Sequence, residues 1–113
     1  MSNILERYKK GERDFGGEDL GGINPAGADL RGSNFFEASL VGTNFEGSDL
    51  RDANFASTNL SGVNFRGANL QRCNLSYCQI WCMRAQAASL PDCSVTGNPS
   101  LKTTPRIISP RSL

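Results

Sequence analysis

The side chains that could carry covalent or metal chemistry are few, and their spacing suits neither. Cys73, Cys78, Cys82 and Cys93 are the only thiols, and the 113-residue chain contains no histidine. Most zinc sites need close Cys-x2-Cys pairs or histidine partners, and these cysteines provide neither. Without histidine the commonest general acid/base is missing too. The aspartates and glutamates are scattered rather than paired. No catalytic residue, metal or cofactor is therefore expected, and the chain does not read as an enzyme. Asn59-Leu60-Ser61 and Asn74-Leu75-Ser76 match the glycosylation acceptor pattern, but the same asparagines belong to a wider periodicity that explains them without a sugar.

That periodicity is five. A large apolar residue recurs at every fifth position from Phe15 to Val95, broken only by Pro25 and Ala85, across seventeen units. The preceding residue is Asn or Asp in twelve of them, which makes it a second fixed position. Two before the centre sits a small residue, as at Ala28, Ser33, Ala38, Thr43 and Ser48, and two after it glycine recurs. Five matches neither the period of a strand nor that of a helix. A short extended stretch followed by a turn does fit. Positions two apart on a strand share a face, so the small residue and the Leu or Phe point inward while the Asn or Asp points out. Glycine suits a turn position with positive φ, and Asn or Asp can bond the adjacent backbone. Repetition then coils the chain into a solenoid.

The number of units per coil follows from the order of Phe and Leu, which alternate strictly from Phe35 to Leu70. Three units per coil would stack Phe35 on Leu50. Four stack Phe35 on Phe55, Phe45 on Phe65, and Leu40 on Leu60, so every column is pure. Each layer then holds two Phe on opposite walls and two Leu on the other pair.

Units such as Ala28-Asp29-Leu30-Arg31-Gly32 and Ala68-Asn69-Leu70-Gln71-Arg72 resemble those of the pentapeptide-repeat family, and the resemblance covers about three-quarters of the chain. It implies an all-β fold, a right-handed quadrilateral β-helix, here of about four coils. It also implies a bacterial source, because such repeats abound in cyanobacteria. Some members mimic duplex DNA, bind DNA gyrase and protect it from quinolones or inhibit it. Those mimics are longer and strongly acidic.

Three regions are expected: an N-terminal helical cap over 1–12, the β-helix over 13–97, and a basic, proline-containing flexible tail over 98–113. In the cap, Asn3 with Glu6 three residues on forms a capping-box-like start, Ile4, Leu5 and Tyr8 make a helical stripe, and Gly11 offers a stop. The helix is expected from about Asn3 to Lys10, with a frayed arm as the alternative. Near the other end Ile80, Met83, Ala87 and Leu90 also satisfy helical spacing. Residues 81–90 thus read either as a degraded last coil, the preferred reading, or as a helix. The charge divides as +1, −3 and +3 over the three regions, for a net +1. That balance offers no basic footprint for direct nucleic-acid binding. No apolar run approaches a membrane span, and Met1 to Phe15 is too polar for a secretory signal, so a soluble, cytoplasmic protein is expected.

Two sets of residues remain as candidates. Phe36, Val41, Tyr77 and Trp81 fall at outward turn positions on two adjacent walls, where aromatic side chains suit an interface. The expected occupant is an unidentified protein partner or a second copy, unless tail residues such as Ile107 and Ile108 cover Trp81. Cys73 and Cys93 lie twenty residues apart, hence one coil apart in the same inward column. Both are expected as small core residues, and as a disulfide under oxidation. The function expected is a non-enzymatic protein-binding or scaffolding module, with gyrase binding by DNA mimicry as the alternative.

Overall fold

The computed structural model describes residues 3–85, 87–89 and 92–97, and the backbone of 107–108. Among the described units all but that of Asn24 contribute one bridging residue, the outward Asn, Asp or Ser or, at the far end, Gln79 and Arg84, with turns on either side. The bridges are parallel and always twenty residues apart, from Asp14↔Asn34 to Asn74↔Ser94. Four units therefore make one coil. The ladder repeats two bonds: the central amide donates to the carbonyl nineteen residues on, as Phe35 to Asn54 (2.7 Å), and the outward amide donates twenty-one residues back, as Asn54 to Ser33 (2.9 Å).

Phe15, Phe35 and Phe55 stack on one wall, with centroids 5.6 and 5.0 Å apart, and Phe45 stacks on Phe65 at 5.5 Å on the opposite wall. The two columns meet edge to face across the interior, Phe55 lying 6.0 Å from Phe45 and 5.6 Å from Phe65. The Leu20-Leu40-Leu60-Ile80 and Leu30-Leu50-Leu70 columns fill the remaining walls and are buried throughout. The small inward residues complete a second ladder. Thr43, Ser48, Thr58, Cys73, Cys78 and Cys93 each donate to the carbonyl twenty-three residues back, which already accepts a turn amide. Ser33 is the exception: it is fully buried and its Oγ has no partner. Twenty-three residues before it lies Lys10, which precedes the first coil, so no stacked carbonyl awaits it. Ser33→Ala is accordingly expected to stabilise the chain by about 1 kcal/mol, whereas Thr58→Val should cost about the same. Urea midpoints of the two variants, moving in opposite directions, check this.

The first helix, α1, spans Ile4–Lys9. Asn3 Oδ1 accepts the Glu6 amide at 3.2 Å, and the bonds Glu12 N to Arg7 O and Gly11 N to Tyr8 O close its end with Gly11 at φ +97°. Ile4 plugs the first coil, and Tyr8 Oη donates to Arg31 O at 2.7 Å. Leu5, expected in the apolar stripe, instead faces outward. Arg7 lies over the Phe15 ring, 4.9 Å from its centroid, and pairs with Glu18 at 2.7 Å and with Glu12.

At the far end the five-residue frame continues through Ser89 and Ser94. Ala87 stands at φ +58°, a left-handed conformation that no α-helix can pass through. The described part of 81–90 is thus coil, not helix, and it contains a strand, β1, at Met83–Arg84. A second strand, β2, at Ile107–Ile108 pairs antiparallel with β1, Met83 opposite Ile108 and Arg84 opposite Ile107. The rest of the expected flexible tail, 98–106 and 109–113, lies outside the described residues, as do Leu90 and Pro91.

Candidate functional site

The coil geometry decides which side chains reach solvent. A unit spends its inward positions on core, so a non-glycine side chain at either turn position must project from a corner. Phe36 and Tyr77 occupy one corner column and Val41 and Trp81 the next. Their exposures, 42% and 66%, then 44% and 50%, separate them from every core residue. The wall between these corners is the one behind Leu20, Leu40 and Leu60. Its outward residues after Asp19 are Ser39, Asn59 and Gln79, all uncharged. Phe36 and Val41 belong to the second coil, and Tyr77 and Trp81 to the fourth. At about 4.8 Å per layer the pairs stand about 10 Å apart along the rod. The third coil between them offers only Ala56, Ser57, Ser61 and Gly62 at the same corners. The result is a flat, uncharged wall with an apolar pair at each end, not one continuous patch. Glu37, beside Phe36, is the nearest corner charge.

Tyr77 is fixed by a contact that the repeat alone does not announce. Its ring lies against Gly97, one coil on, where an added Cβ would sit 2.9 Å from Cδ1. Gly97 is thus required both by its φ of +85° and by the ring.

The other corners are polar, and the one after Leu30, Leu50 and Leu70 pairs its arginines with carboxylates. Arg51 bonds Asp49 at 2.9 and 2.7 Å, Arg31 bonds Asp29 at 2.9 and 2.8 Å, and Arg72 reaches one coil back to Asp52 at 2.7 and 3.1 Å. Each arginine holds its carboxylate below the usual aspartate range through these side-chain bonds. Where α1 meets the first coils there is an open groove lined by Leu5, Tyr8, Arg13, Ala28 and Asp29. The sequence gives no hint of it, because it depends on the tilt of the helix.

Cys73 and Cys93 are buried and stacked, their thiols donating to Leu50 O at 2.8 Å and Leu70 O at 2.6 Å. The neighbouring Cys93 thiol, then burial, holds Cys73 well above the ordinary thiol range. Burial pushes Cys78 up to about 12. Cys82, beside Trp81, is exposed. Native alkylation at neutral pH is expected to label Cys82 alone, with the other three labelled only after unfolding, as intact mass would show. Among the described residues no group of three or more His, Cys, Asp or Glu side chains could hold a metal ion, and no helix is long and apolar enough to cross a membrane.

Four walls, twenty residues per coil, an Asn/Asp-centred ladder and a filled interior define a quadrilateral β-helix built of five-residue units. The family model described as pentapeptide repeats matches residues 19–52 and 48–80, more than half of the chain, in eight copies, and the chain belongs to that family. Among solved structures it is similar to HetL, a pentapeptide-repeat protein involved in heterocyst differentiation regulation from the cyanobacterium Nostoc sp. strain PCC 7120. The identity is 26% over 72% of this chain and 35% of HetL, with a TM-score of 0.58. It also resembles QnrB1, a plasmid-mediated fluoroquinolone resistance protein, at 21% identity over 72% of this chain and 47% of that one, with a TM-score of 0.54. These neighbours share the right-handed quadrilateral fold. The chain spans about a third of the first and just under half of the second. No functionally curated protein matches it.

Proposed function

We propose that the chain is a non-enzymatic protein-binding or scaffolding module in the cytoplasm, and that its binding surface is the wall edged by Phe36, Val41, Tyr77 and Trp81. Proteins of this family are in general structural or binding modules. The observation that carries the reading is the contrast between corners: four large apolar side chains stand out on this wall, while the opposite corners carry paired charges. Exposed aromatics set around an uncharged surface are the usual anchors of interfaces. The partner is a protein or a second copy of the chain.

The test is affinity capture from a native bacterial lysate, with wild type and a Phe36→Ser/Trp81→Ser variant as parallel baits and light scattering to report self-association. A protein, or a dimer, present with wild type and lost with the variant supports the reading. Equal capture and equal mass from both defeat it. Gyrase mimicry is less well supported, because the Asp29, Asp49 and Asp52 carboxylates are each answered by an arginine, whereas duplex phosphates lie unpaired every 1.7 Å or so.

The Cys73–Cys93 pair adds a redox element to the proposal. Protein treated with diamide, then unfolded and alkylated without reductant, should carry two labels, with a crosslinked peptide joining the two residues. Four labels would remove the disulfide from consideration.

A further inference from the structure

A β-helix has two ends, and this one closes them by different means. At the first coil α1 supplies the plug. At the last, the ladder among the described residues stops short: the amides of Ile80, Cys82, Ala85 and Ala87 occupy positions that in earlier coils donate to the carbonyl nineteen residues on. Their counterparts would be residues 99, 101, 104 and 106, which lie outside the described residues. The next outward position falls on Pro99, which has no amide to continue the ladder.

The register of β1 and β2 shows how this edge can be used. Arg84 faces backward, its N–H donating to Val63 O at 2.9 Å and its carbonyl accepting from Phe65 at 2.7 Å. Its neighbours, the Met83 carbonyl and the Ala85 amide, therefore turn toward the open edge, as alternate groups on a strand must. Arg84 lies opposite Ile107 and Met83 opposite Ile108, in the antiparallel sense. In that register the Ile108 amide is the complement of the Met83 carbonyl. Consecutive β-branched residues favour the extended backbone this requires. Nine residues separate Gly97 from Ile107 and reach about 30 Å when extended, farther than the two shorter extents of the molecule, 24 and 22 Å.

We propose that the Met83–Ala85 edge is a strand-docking surface whose occupant is the chain's own Ile107–Ile108, held as a tethered, displaceable peptide. Main-chain bonding supplies the affinity, in the manner of strand addition to an exposed sheet edge. The inference stands apart from the Phe36–Trp81 wall and does not depend on it.

The experiment uses the full chain with Ile108→Pro, which deletes the amide facing Met83, and a fluorescent synthetic peptide of residues 103–113. Fluorescence anisotropy should show the peptide binding this variant at least ten-fold more tightly than wild type, whose edge is filled. Ala85→Pro added to Ile108→Pro should abolish that binding. Proline at position 85 leaves the coil intact, because Pro25 already occupies the same column, buried, with its carbonyl accepting from Ala28 and Ser48. The Ala85 amide should exchange at least ten-fold faster in Ile108→Pro than in wild type. Equal peptide binding by both chains, no binding by either, unchanged exchange at Ala85, or dimerisation of Ile108→Pro through the freed edge would each overturn the proposal.

Discussion

Phe55→Ala is expected to cost about 3–5 kcal/mol and to lower the melting temperature by about 15–30 °C. Phe55 is fully buried, stacks on Phe35 at 5.0 Å with the ring planes 11° apart, and meets both Phe45 and Phe65 edge to face. Truncation would leave a ring-sized void at the crossing of both aromatic columns, and a stacked ladder on either side prevents the walls from closing over it. Against a typical total stability of about 5–15 kcal/mol such a loss brings the chain close to unfolding. Phe36→Ala is the matched control. It removes the same side chain from a half-exposed corner next to Phe35, and should change stability by less than about 0.5 kcal/mol. Urea denaturation of the two variants measures the difference, and similar losses for both would mean that the stacked columns are not what holds the rod together.

Gly62→Val should cost about 2 kcal/mol or more, and Gly62→Asn only a few tenths. Gly62 turns a corner at φ +71°, and a Cβ there would lie in ordinary contact with Gly42, so the cost comes from the backbone and not from a clash. A β-branched residue in the left-handed region is strained, while Asn tolerates it. The structure itself grades the position: Glu37, Asp52, Ser57, Arg72, Tyr77, Cys82, Ala87 and Asp92 hold φ of 56 to 64° at equivalent corners, and none of them is β-branched. Thermal midpoints of the two variants read this directly.

The architecture was legible in the sequence because every coil repeats the same local decision. Phe and Leu alternation fixes four units per coil, and the stacked columns follow. The Asn and Asp positions announce their turns, and Asn54 Oδ1, for example, accepts the Ala56 amide at 2.9 Å. The cap was legible from Asn3 and Gly11. Two helical-looking features were not settled by spacing. Leu5 sits in the stripe of α1 but is turned out by the helix orientation. Met83 and Ala87 obey helical spacing, yet the ladder to Asn64 and Asn69 holds that segment in the coil frame. The candidate site was legible only in part. Exposure of Phe36, Val41, Tyr77 and Trp81 follows from their corner positions, but the Tyr77–Gly97 contact and the docking of Ile107–Ile108 depend on side-chain direction and long-range pairing, which a five-residue period does not encode.

The constant twenty-residue offset of the bridges also makes the chain a ruler with a single graduation. Excising one full coil, such as 35–54, would join equivalent points of the spiral, shorten the rod by one layer and leave every surviving column in line. Excising five residues would rotate all that follows by a quarter turn, setting Phe on Leu and carrying Trp81 round to another side. Slippage during gene duplication is therefore harmless in steps of twenty and ruinous in most others, which makes length the property this protein can most readily change without learning a new fold.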